Sequence, residues 1–369
     1  MKKIYVLNVI GGLSKGGAEY QCSLLSNRLN EMQIKSKIMC FYKGPSPLFE
    51  SLDNTIFISR GNKWNFFSLF NRIYSVIKLE NPDILHVWLP EIISVPAAMI
   101  GRFLGIPVIA SHRNSTRFSG DVFKYIRDRM RFIQYIFATK IISNFYINEE
   151  PLFLRVLFNQ KKGEVIFNGL KELILVNERE HKISDEPLSL LYVARLAPEK
   201  NLPLLLRSIA ILKNKNHSIR LRIFGDGDPA YKSNLKELIN DLDISEQVEF
   251  LGYDKNWHFL APSSLCLLLP SKSEGTANVV IESLKIGLPV IISNIPMSRS
   301  ILKHEVNALI VERSDPLEWA EKIIYLSKNK TLVNQIKRNG IEYSKQFTND
   351  KMVAKYEKTY RQIIKQTNR

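Results

Sequence analysis

The chain has 369 residues, 45% of them hydrophobic, and carries a formal charge of +16. That length exceeds what a single core fills, so two domains are expected, and the composition excludes a disordered or fibrous chain. The positive excess is spread over both halves, which argues against a detachable basic tail and predicts an anionic partner: nucleic acid, an acidic membrane face or a phosphorylated substrate.

In chain order, the first half alternates short β-branched runs with longer mixed segments. Strands are predicted at 3–10, 34–41, 55–58, 83–87, 106–111, 139–143 and 164–167, with helices at 17–31, 65–80, 91–104, 121–137 and 149–158. This is the pattern of a doubly wound α/β domain. The charged, Pro-terminated stretch ILVNEREHKISDEP interrupts it, and a linker is expected over 171–187. A second series follows, with strands at 188–194, 219–224, 247–251, 265–270, PVIIS and 308–311, and helices at 201–214, 231–241 and VVIESLKI. Helices continue from 316 to the end. The expected organisation is an amino-terminal domain over 1–170, a carboxy-terminal domain over 188–349, and a last helix within 350–369 that packs back on the first domain through Met352, Val353, Tyr356, Tyr360 and Ile363.

The first strand is expected in KKIYVLNVI and no signal segment is expected ahead of it, and no apolar run reaches the length of a bilayer span. Cys22, Cys40 and Cys266 lie in apolar contexts without metal-ligand spacing and are read as buried thiols.

Several segments carry chemistry at predicted strand ends, where an open α/β sheet holds its ligands. PSKSEGTANVVIES places Glu274 in a loop and Glu282 in the first turns of the following helix, with Gly275, Thr276 and Asn278 as loop and cap. Helix-start N–H groups favour an anion and carboxylates suit hydroxyls, so a ligand with phosphate at one end and sugar at the other satisfies both. VARLAPEKN puts Arg195 just past a strand and Lys200 just before a helix, a pair suited to a diphosphate. Gly225 and Gly227 in FGDGD permit close backbone approach, and Gly252 ends VEFLG. In the first half GGLSKGGAE supplies Gly11, Gly12, Gly16 and Gly17 as a flexible loop at a helix start, with neither the dinucleotide fingerprint nor the P-loop Lys-Ser/Thr pair. His112 and Arg113 end another strand, and His86 holds a similar place. Taken singly, each charged residue fits a solvated surface position and each histidine a structural one; the ordered set carries the argument.

That set resembles the retaining glycosyltransferases of the large family 4, glycosyl transferases group 1, nearly end to end. The resemblance implies a GT-B fold, two Rossmann-like α/β domains facing each other across a cleft, the second binding a sugar nucleotide and the first receiving the acceptor. It assigns Arg195 and Lys200 to the donor diphosphate, Glu274 to hydroxyls of the transferred sugar, Glu282 to the ribose, and the amides of Thr276, Ala277, Asn278 and Val279 to phosphate or sugar. Gly12, Gly16 and Gly17 would approach the donor from the first domain, Gly225, Gly227 and Gly252 would line the nucleotide, and His112 would lie near the transferred sugar. Departures stand at Ala194, Thr276 and Leu170-Lys171, where glycine, an aromatic and an acid are common, and these leave the transferred sugar open.

The implied activity is transfer of a hexose or N-acetylhexosamine from a nucleoside-diphosphate sugar, UDP favoured over GDP, to a glycan or lipid-diphosphate acceptor in cell-surface polysaccharide synthesis. No metal and no cofactor are expected, since no Asp-x-Asp motif is evident and Arg195 with Lys200 supplies positive charge. Between 113 and 140, basic residues (Arg113, Arg117, Lys124, Arg127, Arg129, Arg131) interleave with aromatics. A helix there would place Val122, Ile126, Met130, Ile133 and Phe137 on its apolar face and present basic faces to an anionic membrane or a lipid-diphosphate acceptor, with aromatic anchors from KWNFFSLF at 63–70. The expected location is cytoplasmic, peripheral at the inner face of the membrane. Rival readings are a sugar-nucleotide epimerase or hydrolase of the same architecture, and a basic nucleic-acid-binding protein, which leaves Glu274 and Glu282 unexplained.

Overall fold

The computed structural model describes residues 3–13, 16–43, 54–59, 66–113, 122–148, 150–161, 163–170, 187–254, 256–312 and 314–367. The predicted linker over 171–187 lies outside these residues except at its end. The chain divides into two compact units, one of residues 1–169 with 349–369 and the other of 170–348.

The first unit comprises β1 (Tyr5–Val9), β2 (Gly12–Leu13), α1 (Gly17–Glu31), β3 (Lys35–Cys40), β4 (Tyr42–Lys43), β5 (Thr55–Phe57), α2 (Phe66–Glu80), β6 (Ile84–Val87), α3 (Ser94–Phe103), β7 (Val108–His112), α4 (Val122–Phe137), β8 (Lys140–Ser143), α5 (Leu152–Gln160) and β9 (Glu164–Val165). Seven of its strands form one sheet in the order β5-β3-β1-β6-β7-β8-β9, and every pairing is parallel. Strands β1, β6 and β7 are buried throughout, as a sheet covered on both faces requires. The last helix of the chain, α12 (Asn349–Thr367), completes this unit. Its Met352, Val353, Tyr356, Tyr360 and Ile363 enter the same core as Val6, Leu25 and Trp88.

The second unit runs β10 (Leu188–Val193), α6 (Leu202–Asn214), β11 (Ile219–Phe224), α7 (Pro229–Asp241), β12 (Val248–Gly252), β13 (Cys266–Leu269), α8 (Asn278–Lys285), β14 (Val290–Ser293), α9 (Pro296–Ile301), β15 (Leu309–Val311), α10 (Pro316–Lys328) and α11 (Lys330–Ser344). Its sheet is parallel in the order β12-β11-β10-β13-β14-β15. Local chemistry sets several helix starts: Asp228 accepts from the Tyr231 amide at 3.0 Å and Asp315 from the Leu317 amide at 3.1 Å, each just ahead of a proline pre-set for the first turn. Strand order reverses between β10 and β13, so the loops after these two strands flank the crevice where such sheets bind ligands. Each unit is Rossmann-like, and the pair constitutes a GT-B-type fold.

The largest departure from the sequence pattern is the orientation of α4. Its predicted apolar face included Ile133, yet Ile133 is 38% exposed, while Arg131, Gln134 and Tyr135 are buried. Polar anchors turn the helix: the Tyr135 hydroxyl meets His112 Nδ1 at 2.6 Å, and the Gln134 side-chain amide donates to the Val87 carbonyl at 3.4 Å. Arg113, which the sequence places at the end of a strand and among the basic residues of 113–140, is buried. It donates to Asn168 at 2.7 Å and to the Tyr356 hydroxyl at 2.8 Å, and lies over the Trp88 ring. The side chains at 114–128 and residues 63–65 lie outside the description; Phe67, in the remainder of that second segment, is exposed.

Candidate functional site

In the second unit, Lys200, Glu274 and Ser271 converge beside the strand-order reversal. Lys200 closes a single 3₁₀ turn at Pro198–Lys200 after β10, and Glu274 follows β13. The Lys272 amide donates to the Glu199 carbonyl at 2.9 Å, which ties the two loops together. The Lys200 ammonium then meets Glu274 Oε1 at 2.6 Å, with the two side chains only 18% and 9% exposed. Ser271 donates to the same oxygen at 2.7 Å. Both bonds fall on Oε1.

Arg195 stands on the same edge but is 70% exposed, paired with Glu199 at 2.6 Å. An exposed pair of this kind contributes little stability, so the guanidinium can exchange one anion for another at small cost. Glu282 lies in α8, half-buried. Burial raises its carboxyl above the ordinary range, and a hydrogen bond from the Trp257 side chain and the Lys285 ammonium offset part of that rise. Thr276 and Ala277 precede α8 and Asn278 opens it. Ala277 occupies the cap position without a side-chain cap, correcting the assignment of Asn278 as cap. Asn278 and Val279 are the first helical residues.

Gly225 and Gly227 follow β11, and their close approach is to the chain itself. A Cβ on Gly225, whose φ is +150°, would stand 1.9 Å from the Ala194 carbonyl oxygen, and one on Gly227 would stand 2.1 Å from that of Leu196. These glycines let the loop bearing Arg195 lie flush against the β11 exit. Gly252, ending β12, accepts from the Gly225 amide at 2.7 Å. The three glycines thus shape the shelf under Arg195.

Tyr192, Ser271 and Trp257 were not singled out from the sequence. Tyr192, in β10, is fully buried, and its hydroxyl meets no hydrogen-bond partner among the described residues. Burial, then the charges of Tyr231, Glu274 and Glu199, push it well above its ordinary range. The signal for Trp257 is a tryptophan amid polar residues, whose buried indole N–H requires an acceptor.

In the first unit the glycine segment is partly ordered as strand. Gly12 and Leu13 form β2, paired in parallel with β4, and a Cβ on Gly12 would strike the Tyr42 ring at 2.3 Å. The reading of this stretch as simply a flexible loop is corrected accordingly. The Gly11 amide donates to the Glu91 carboxylate. Gly16 caps α1 with no side chain of its own, Gly17 opens the helix, and the Glu19 carboxylate occupies the space a Gly16 Cβ would need. His112 ends β7, buried. Its Nε2 lies 3.8 Å from Glu150 Oε2, beyond hydrogen-bond reach, and burial, then the Arg131 charge, hold the imidazole well below its ordinary range. His112 is therefore a neutral ring with one nitrogen bonded to Tyr135. His86 is also neutral and structural, held between the Tyr360 hydroxyl at 2.8 Å and Ser111 at 2.9 Å. The three cysteines are buried free thiols. Among the described residues no group of three or more His, Cys, Asp or Glu is placed to hold a metal ion, and no helix is long and apolar enough to cross a membrane.

With this geometry in place, residues 176–343 match the family described as Glycosyl transferases group 1. An uncharacterized glycosyltransferase of Methanocaldococcus jannaschii is 29% identical over 204 residues, 55% of this chain and 55% of the relative. The O-antigen biosynthesis glycosyltransferase WclY of Escherichia coli is 30% identical over 212 residues, 56% of this chain and 57% of the relative. These matches thus span little more than half the length of the relatives. The solved structure of Anabaena HepE in complex with UDP and glucose superposes with a TM-score of 0.79 at 17% identity, covering 96% of this chain and 98% of that one. Residues 176–343 are thus similar to glycosyl transferases group 1, in a chain of GT-B-type fold.

Proposed function

We propose that the chain transfers a hexose or N-acetylhexosamine from a nucleoside-diphosphate sugar, UDP rather than GDP, to a glycan or lipid-diphosphate acceptor, retaining the anomeric configuration and requiring no metal. The observation that carries this reading is the part-buried Lys200–Glu274 pair, which joins the loops after β10 and β13 beside the strand-order reversal, with Arg195 on the same edge. Lys200 and Arg195 would take the diphosphate, exchanging their present carboxylate partners for phosphate oxygens. Glu274, freed from Lys200 but still held by Ser271, would accept from hydroxyls of the transferred sugar. Glu282 would accept from the ribose beside Trp257. As the bond from the anomeric carbon to phosphate breaks, negative charge grows on the leaving oxygen, where both cations stabilise it. The acceptor oxygen bonds to the same face of the sugar and its proton passes to the departing phosphate, so no residue is needed as nucleophile. To the first unit we assign the acceptor. O-antigen synthesis by the Escherichia coli relative and UDP in the Anabaena complex support the substrate classes. With a lipid-diphosphate acceptor, the reaction would lie at the anionic inner face of the cytoplasmic membrane.

The test is a donor panel. UDP-sugars should raise the melting temperature of the purified protein, GDP-sugars should not, and product NMR should show a retained anomeric centre. Lys200→Ala and Glu274→Ala should each lower transfer by orders of magnitude in a folded protein. Near-normal transfer by both variants, or full-rate release of free sugar without an acceptor, would refute the proposal.

A further inference from the structure

The rotation of α4 leaves a surface that the transfer chemistry does not explain. On the outer side of α4, Phe132, Ile133 and Ile136 are 38%, 38% and 44% exposed; on the neighbouring α5, Leu152, Phe153 and Val156 are 67%, 42% and 43% exposed. These residues recur at three- and four-residue spacing, so each helix presents one apolar stripe outward. The Phe132 and Phe153 rings meet edge to face at 5.7 Å, and the Lys161 ammonium, at the end of α5, donates to the Ile136 carbonyl at 3.1 Å. The two stripes therefore form one continuous face. The opposite sides of the helices are occupied: Gln134 and Tyr135 of α4 and Leu154 and Phe158 of α5 are buried.

Cations border this face: Arg129 and Arg155 are exposed on the same two helices and Lys161 lies at the end of α5, whereas Lys140 is paired with Glu164 at 3.0 Å. Large aliphatic and aromatic side chains rimmed by cations complement the acyl boundary and the anionic headgroups of a bilayer leaflet. An ordinary solvated face offers the charge without the apolar stripe.

We propose that the paired outer stripes of α4 and α5 form the membrane-docking face of the first unit, seating Phe132, Ile136, Leu152 and Phe153 at the acyl boundary of an anionic leaflet while Arg129 and Arg155 meet its headgroups. The proposal deepens the membrane location stated above and rests on that part of the reading alone, independently of the sugar transferred. It also relocates the contact: the sequence pointed to the basic faces of 113–140, whereas this face is apolar and includes α5.

The test is co-sedimentation of the full chain with vesicles of phosphatidylglycerol and phosphatidylcholine, and with vesicles of phosphatidylcholine alone, at low and high salt. The variants are Leu152→Ser/Phe153→Ser, at exposed positions, and Arg155→Glu. Wild type should partition to the anionic vesicles, and the double variant should lose about tenfold or more of that partitioning in both salt conditions. Arg155→Glu should weaken binding mainly at low salt. The UDP-induced melting shift, measured on the same preparations, should be unchanged in all three proteins. Equal binding by wild type and the double variant overturns the assignment of the face, and absence of wild-type binding overturns the docking altogether. A wild-type dimer that dissociates in the double variant shows that a second copy covers the face and also overturns it. A missing UDP shift in wild type would instead count against the sugar-nucleotide reading.

Discussion

Replacing Glu274 by glutamine keeps the shape of the donor loop and removes one charge. Lys200, 18% exposed, then retains its ammonium with no counter-ion at 2.6 Å. Removing one partner of a fully buried ion pair costs about 3–5 kcal/mol, and about 3–4 kcal/mol for this part-buried one, of which a remaining hydrogen bond from the ammonium to the glutamine carbonyl returns about 2 kcal/mol. A net loss of about 1–2 kcal/mol follows. For a unit of about 150–250 residues each kcal/mol moves the midpoint by about 2–4 °C, so the second unit should melt about 2–8 °C lower. Excess UDP should reverse the order of effects. Its diphosphate supplies the charge that Lys200 has lost, so the stabilisation by UDP, set by the ratio of ligand to dissociation constant, should be larger in Glu274→Gln than in wild type. Melting curves with and without UDP measure both quantities. A variant that melts with wild type, or a UDP increment no larger than the wild-type one, would show that Glu274 is not the resting counter-ion of the diphosphate site.

Tyr192→Phe removes a buried hydroxyl that has no partner and should stabilise the free protein by about 1 kcal/mol in denaturant unfolding; a loss of that size would mean the hydroxyl is bonded. Gly225→Ala would drive a methyl against the Ala194 carbonyl and should cost about 3 kcal/mol or more, with protease sensitivity appearing near Arg195; a neutral effect would mean that the shelf yields freely. Burial, then Arg113, lower the pKa of His86, so the unfolded chain takes up a proton below about pH 6.5 that the folded protein refuses. Its contribution is complete above that pH and falls by about 1.4 kcal/mol per unit as pH drops toward the folded value. His86→Gln should flatten this acid limb of the thermal profile, and an unchanged slope would place the titration elsewhere.

The two sheets were legible because parallel strands buried on both faces appear as largely apolar runs, as in ILHV and CLLL. Short elements were not: β2, β4, α9 and the turn carrying Lys200 are too brief for any period to register. In the candidate site, Lys200 and Glu274 were legible from their places at strand ends, whereas Tyr192 and Ser271 were hidden because each acquires its meaning from a neighbour distant in sequence. α4 was misread for a related reason. Periodicity assigns Met130, Ile133 and Phe137 inward, but buried partners for Tyr135 and Gln134 turn the helix so that Ile133 is exposed and Phe137 only partly buried. A long-range polar anchor outranked a local hydrophobic stripe.

The route of the chain through its two units also governs the order of its biosynthesis. It leaves the first unit after Gly169 and re-enters it at Asn349, so the whole second unit is made between the two halves of the first. At about 5–20 residues per second, on the order of ten seconds or more separate β9 from the helix that fills its core. Throughout that interval the nascent first unit lacks the side chains of Met352, Tyr356 and Tyr360, and Arg113 lacks its phenolic partner. The second unit, contiguous and self-contained, can fold while the first waits. A stop codon shortly before residue 349 would therefore spare the unit bearing Lys200 and Glu274 and leave the other as a target for chaperones and proteases.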